Sequence, residues 1–326
     1  MHGMTEEELL RLCDPKNAFT GKAPWIYWPP EAYSNGKYIR EYGFFPQILP
    51  LLVYSDHSGI SGTDVPTKHE LETDAPVFFT FSKAKALKYH EITGKRSYVI
   101  ISPAIYYRRK YKINQTANAI GTIVFPAHTT PDIDNIGDID TYALQLMNLP
   151  KKYQPVTICL HMHDINKGLY RKFIKYGLSV VTAGNAFDYR FLERFYKILQ
   201  NHAFATSNMI SSYTALSIEM GIPFFIYGEP QIFINKSDGN LPLGKYDGYS
   251  DVPFFKELYD KLQFKDSNGT IDKTIKNAIE KRLGINDTIS RRKMCLILWS
   301  CLLFRIFRLK NLQKVVKYLI KTKGIK

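Results

Sequence analysis

The sequence predicts an α/β protein in two units, followed by a basic helical tail. Three observations carry that prediction. Short β-branched and aromatic runs alternate with segments of helical period across most of the chain, the pattern that builds parallel sheets. The alternation pauses at a polar, basic stretch, 106–116 (YYRRKYKINQT), and then restarts more regularly. Residues 291–326 carry 11 Lys or Arg and no Asp or Glu, which leaves only +3 of the total +14 for everything before them. The domains expected are therefore 1–116, 117–290 and the tail 291–326.

In the first unit, residues 5–13 read as a short amphipathic helix with an acidic first turn. WIYW at 25–28 reads as a strand closed by two prolines, 36–42 as a short helix, and 49–54 as a second strand. That strand runs into a polar loop, SDHSG at 55–59. Residues 77–81 are a third strand, 83–92 a helix ended by Gly94, and 97–102 a fourth strand. The second unit has strands at 122–125, 156–160, 178–182, 203–205 and 224–227. Helices at 140–147, 167–176, 187–200 and from Ser211 to Met220, the last ended by Gly221, separate them. Residues 235–249 are rich in Gly, Asn, Asp and Pro and read as loop, and 253–262 and 271–283 as helices.

Composition narrows the functional classes. With 326 residues, 45% hydrophobic and 14% aromatic, the chain can bury one large core or two modest ones. Cys13, Cys159, Cys295 and Cys301 show no CxxC or metal spacing, which implies reduced thiols in a cytoplasmic protein. No apolar run reaches the roughly 18 residues that span a bilayer, and the start, MHGMTEEELL, is too acidic for a signal peptide. Because the excess charge sits in the tail, no nucleic-acid partner is expected.

The first four strands of the second unit each end in a polar loop. Open parallel sheets bind ligands outside the carboxyl ends of their strands, so these loops form the expected binding edge. They bring His128, Thr129 and Thr130; His161 and His163; Asn185; and Thr206, Ser207, Asn208, Ser211 and Ser212. The last group crowds hydroxyls around a helix start, where unpaired N–H groups and aligned dipoles favour an anion. The alternative is a well-capped helix without a ligand. Glu229, after the last strand, is a candidate for a ribose or sugar contact, or a solvated loop acid. His161 and His163 lie two apart beside Asp164, but no third ligand of clear spacing accompanies them, so no metal site is expected. In the first unit, Asp56 and His57 follow a strand and suit general-base work, with an Asx-type turn as the structural alternative.

No GxxxxGK[ST] loop, GxGxxG, GxSxG or HExxH is present, and there is no clear DxD pair; Asp132 and Asp134 come closest and read as helix N-terminal acids. In the tail, residues 295–304 are a dense apolar block with Trp299 and Phe304, and 312–320 follow helical spacing with lysines between. A basic amphipathic segment of this kind suits an anionic membrane surface; the alternatives are a helix that packs back on the domains with a solvated basic face, and a mixture in which 295–304 packs and the last 20 residues touch lipid.

The succession of loops resembles the GT-B glycosyltransferases, in which two Rossmann-like domains face each other across a cleft. The stretches PVTICLHMHDINKGLYRKFIKYGLSVVTAGNAFDYRFLERFYKIL and TSNMISSYTALSIEMGIPFFIYG are similar to bacterial surface-polysaccharide (capsule and lipopolysaccharide) proteins. More remotely, they resemble sialyl- and Kdo-transferases and CDP-glycerol glycerophosphotransferases. Those families hold the donor phosphate with a strand-end His motif, matched here by His161 or His163, and a Ser-Ser or Ser-Thr motif, matched by Ser211-Ser212. Their base lies in the first domain, where Asp56 or His57 stands. The usual His-Pro is His161-Met162 here, and the acidic pair before glycine is absent. The resemblance implies an acceptor-side domain at 1–116 and a nucleotide-donor domain at 117–290. It implies metal-independent sugar transfer from a nucleotide-sugar co-substrate, with no separate cofactor, to a glycan or lipid-linked acceptor at the inner face of the plasma membrane. The alternatives are a CDP-alditol or glycerophosphotransferase on the same fold, and a non-catalytic polysaccharide-binding or assembly protein.

Overall fold

The structure, a computed structural model, describes residues 3–19, 25–57, 60–230, 232–239, 243–246, 253–265 and 269–307. They form two compact units, neither of them a continuous stretch of chain. One draws on Ala18–Tyr107, Phe187–Tyr189 and residues from Lys281 onward; the other on Met1–Asn17, Arg108–Ala186 and Arg190–Glu280. The described residues up to Asn17 thus belong with the later strands, and the helix that opens the basic tail belongs with the early ones.

The first of these units is built on three parallel strands, β1 (Tyr54–Ser55), β2 (Val77–Thr80) and β3 (Arg96–Val99), with β2 in the middle. All four β2 residues, VFFT, are buried, as a central parallel strand requires. Ser82 caps the helix Lys83–Thr93 by accepting the Lys85 N–H at 3.3 Å. The core joins Ile39, Phe45, Leu52, Val77 and Phe79 to Met294, Leu298 and Cys301 of the helix Arg291–Phe307. Two expectations fail here. Residues 25–28 make bends, not a strand, and the segment 49–54 is extended into strand only at its last residue. Pro50 removes a ladder donor, and the Trp and Tyr rings of 25–28 find their packing in an aromatic cluster instead.

The second unit contains β4 (Thr122–Val124), β5 (Ile133–Asn135), β6 (Val156–Cys159), β7 (Ser179–Val181), β8 (Phe204–Ser207), β9 (Phe224–Ile226), β10 (Phe233–Asn235) and β11 (Gly244–Tyr246). Five of them form one parallel sheet in the order β7-β6-β4-β8-β9. These are the five strands read from the sequence. The other three pair antiparallel as β11-β10-β5, so part of the stretch expected as loop, 235–249, is strand. Gly221 closes the helix Ser212–Met220 in the left-handed region at φ +93°. The described part of the N-terminus docks along β7: Met4 N–H donates to Val180 at 2.8 Å, and the helix Glu6–Cys13 opens with Thr5 capped by Glu8.

The order of the five-stranded sheet fixes where a ligand belongs. Taken in chain sequence the strands lie 3-2-1-4-5, so the chain leaves β4 towards one edge and returns on the other side at β8. The loops after β4 and β8 diverge, and the crevice between them, at the carboxyl ends, is the topological switch point.

Candidate functional site

Four loops converge around that switch point, and buried polar side chains tie them together. Asn208, after β8, accepts the Ala127 N–H at 3.3 Å and donates to the Glu229 carbonyl at 3.2 Å. One fully buried amide therefore links the loops after β4, β8 and β9. Asp164, after β6, accepts both the N–H and the hydroxyl of Thr129, at 3.0 and 2.8 Å. Its Oδ1 is thus engaged, while Oδ2 is buried and accepts no hydrogen bond among the described residues. Burial raises the Asp164 carboxyl above its ordinary range, against the lowering influence of Thr129 and His128.

On this frame stand three imidazoles. His128 and His161 stack with ring centroids 4.2 Å apart, and His163 follows at 5.0 Å from His161. His128 Nδ1 lies 2.9 Å from the Thr129 carbonyl, which can only accept, so Nδ1 carries a proton. His161 caps its own helix: Nδ1 accepts the His163 N–H at 3.4 Å, which places the ring proton on Nε2, a donor. Burial, then the neighbouring His128 and His163, hold His161 well below the ordinary histidine range. Burial, His128 and Lys167 push His163 down to about 4. At neutral pH these two are uncharged rings. Lys167, four residues after His163, donates to the Thr130 carbonyl at 2.9 Å and pairs with Asp134 at 2.9 Å, so a cation stands beside the β4 loop. Across the switch point the half-buried Ser211 and Ser212 open the helix Ser212–Met220. Thr214 accepts the Ser211 N–H at 3.3 Å. Phe125 stacks on Tyr213, centroids 5.0 Å apart, and packs the β4 end against that first turn.

Several of the expected contact residues serve the frame instead. Thr206 is buried and donates to the Phe225 carbonyl at 2.7 Å, so it binds strand to strand. Ser207 bonds the Tyr213 hydroxyl at 3.0 Å and accepts the Met209 N–H at 3.0 Å. Asn208 and Thr129 are consumed by the loop ties already described. Asn185 holds the N-terminal segment: its N–H donates to Leu12 at 2.9 Å and its side chain to Asp14 at 3.2 Å. Glu229 is exposed and enters the frame by its backbone; its N–H donates to Gln145 at 3.2 Å. Gly228 before it lies at φ +91°, where a Cβ would also meet the Tyr142 ring. The part-exposed set at the switch point is therefore His128, Thr130, His161, His163, Ser211 and Ser212. Among the described residues, no group of three or more His, Cys, Asp or Glu is placed to hold a metal ion.

In the three-stranded unit the structure separates the two adjacent candidates. Asp56 is 3% exposed, and its carboxylate is fully engaged. Oδ1 meets Lys85 Nζ at 2.5 Å, and Oδ2 accepts from Ser61 at 2.5 Å, Thr80 at 2.6 Å and the Phe81 N–H at 3.2 Å. Burial alone would raise its pKa, but the Lys85 charge and these bonds win and hold it down to about 2. Lys85 also meets Glu70 at 2.9 Å. Burial and the Asp56 charge push Glu70 up to about 7, against the pull of Lys85. A carboxylate this acidic and this enclosed is a poor general base, so Asp56 is an anchor for its loop. His57 lies at the half-buried surface, 5.1 Å from the Trp28 ring and 6.1 Å from the His69 ring. His69 Nδ1 lies 3.0 Å from the Tyr54 hydroxyl, whose pKa burial raises to about 12.

Lys85, Glu70, Trp28 and His69 were not singled out from the sequence. Nothing marks Lys85, one of several lysines in a short helix, as the buried one. Lys167 did carry a signal, the four-residue spacing from His163.

No family model and no curated protein matches the chain. Among solved structures, it is similar to UDP-GlcNAc 2-epimerase from Neisseria meningitidis bound to UDP-GlcNAc, at 14% identity and a TM-score of 0.36, over 70% of this chain and 62% of that one. It is also similar to the wall teichoic acid polymerase TagF, at 13% identity and a TM-score of 0.38, over 76% of this chain and 66% of that one. The chain thus spans under two thirds of the length of each. Likeness at this level gives no residue a role.

Proposed function

We propose that the chain is a glycosyltransferase that moves a sugar from a nucleotide-activated donor to a hydroxyl of a bacterial surface polysaccharide or lipid-linked glycan. The observation that carries the reading is the set of imidazoles, His161 and His163 held neutral by burial and His128 stacked on His161, together with the helix-start serines at the switch point of the five-stranded sheet. Neutral rings held by burial, a helix N-terminus and a nearby lysine favour a ligand that brings its own negative charge.

In the proposed reaction the bond between the sugar's anomeric carbon and the donor phosphate breaks, and a bond from that carbon to the acceptor oxygen forms. The leaving phosphate gains charge as the sugar passes through an oxocarbenium-like state. His128, His161 and His163, with the first turn of the helix Ser212–Met220, stabilise that charge. The acceptor hydroxyl gives up its proton as it attacks; His57 is the residue assigned to take it, with Asp56 and Lys85 fixing the loop that carries it.

The test is thermal unfolding of the full chain with CMP, CDP, UDP and GDP, followed by turnover of the matching sugar or alditol donors. The reading expects one nucleotide to raise Tm by several degrees and its sugar donor to be consumed. Release of an alditol phosphate from a CDP donor would turn the assignment to phosphotransfer. No stabilisation by any nucleotide would overturn it in favour of a polysaccharide-binding or assembly role.

A further inference from the structure

The helix Arg291–Phe307 is apolar on two sides. One side, with Met294, Ile297, Leu298, Cys301 and Leu302, is buried in the core of the three-stranded unit. A helix packed on one side is expected to be polar on the other. Here the opposite side presents Leu296, Trp299 and Leu303, which are 71%, 37% and 47% exposed. Their spacing, i, i+3, i+7, puts them on one stripe. Trp299 rests its ring on buried Phe45, centroids 5.2 Å apart.

A second element adds to this surface. Phe44 follows the helix Asn35–Tyr42 and is 61% exposed, although its backbone lies at φ +51°, a conformation that a bulky residue adopts only at a cost. The Arg291 guanidinium lies over its ring at 3.9 Å and donates to the Tyr42 and Glu41 carbonyls at 2.9 and 3.0 Å. The backbone thus holds an exposed phenylalanine under an arginine at the start of the apolar helix. Arg292 and Lys293 follow, both exposed, and no acid occurs from residue 291 to the end of the sequence.

We infer that this face docks on an anionic lipid surface, with Leu296, Trp299, Leu303 and Phe44 in the headgroup layer and Arg291, Arg292 and Lys293 against lipid phosphates. Exposed apolar side chains with three cations at the start of the same helix match such a surface in both respects. Among the described residues no helix is long and apolar enough to cross a membrane, and the attachment inferred is peripheral. The inference does not depend on the sugar-transfer reading.

The experiment uses the full chain and vesicles of phosphatidylcholine with about 30% phosphatidylglycerol, the anionic fraction on which surface attraction of basic residues depends. Cosedimentation is expected with these vesicles and not with pure phosphatidylcholine, and is expected to weaken as salt rises. Leu296→Ser with Leu303→Ser should lower binding about tenfold or more, by the loss of two buried leucines, with Tm unchanged. Trp299→Phe should keep most of the binding and abolish the fluorescence component quenched by brominated lipid. Binding unchanged in the double variant, quenching unchanged in Trp299→Phe, or no binding by the parent would each overturn the inference. So would a dimer of the parent that the double variant dissolves, since the stripe would then belong to a second copy.

Discussion

Two polar clusters sit at strand ends in the two units, and they use their charges in opposite ways. In the three-stranded unit, Asp56, Lys85 and Glu70 satisfy one another out of reach of water. In the five-stranded unit, half-buried His128 stacks on His161 with His163 beside them, and a carbonyl and a backbone N–H place the ring protons of the first two. The first cluster has spent its bonding capacity on the fold. The second holds two rings, His161 and His163, whose charge burial suppresses. Adjacency of acid and base in a sequence therefore says little; what matters is whether the partners are inside the cluster or still to come.

The sharpest way to break this contrast is Lys85→Met. It leaves two carboxylates buried without their cation, and such a loss costs about 3–5 kcal/mol. Urea unfolding should show that loss in the midpoint, while nucleotide binding in whatever remains folded is unchanged. The matching change in the other unit, His128→Ala with His161→Gln, should do the reverse. Nucleotide affinity by calorimetry should fall about 10–100-fold, the worth of one charge-assisted hydrogen bond or a little more, with Tm nearly constant.

The two clusters should also titrate apart. His163 is held at about 4 in the folded chain, against 6.5 without the fold. As pH falls from 6.5 towards 4, the unfolded chain takes up a proton that the folded chain refuses, so stability declines over that window. A bound phosphate reverses the sign by favouring the charged ring, so stabilisation by nucleotide should grow between pH 7.5 and 5.5. Asp56, held at about 2, contributes stability that is present above its ordinary value of 3.8 and lost as pH falls through the folded value. Unfolding curves across pH, with and without nucleotide, separate the two; nucleotide stabilisation that is flat with pH would remove the imidazoles from the phosphate site. The smallest effect is expected for Ser212→Ala, about threefold weaker nucleotide binding, comparable to a single neutral hydrogen bond.

The five-stranded sheet was legible because each of its strands is a short apolar run and the first four are closed by polar loops, and a parallel strand buried on both faces needs little else. The edge at which the loops gather was legible for the same reason. The sequence does not say which loop residues face a ligand. Thr206, Ser207 and Asn208 share the chemistry of Ser211 and Ser212, yet they are buried and bind backbone. The difference is a few residues of phase between strand end and helix start. WIYW failed as a strand because aromatic runs satisfy a cluster as well as a sheet. Asp56 failed as a base because its partners come from residues 61, 80, 81 and 85, distant enough in sequence to leave no local mark.

The interleaving of the two units along the chain also orders their biogenesis. A ribosome that has delivered β1, β2 and β3 has delivered a sheet whose core lacks Met294, Ile297, Leu298 and Cys301, which arrive only after the whole five-stranded sheet has been made. That sheet in turn closes its β7 edge with residues synthesised first. Neither unit can finish folding as a consecutive segment, so the early one must wait with apolar surface exposed. It is the part of this protein most in need of protection during synthesis.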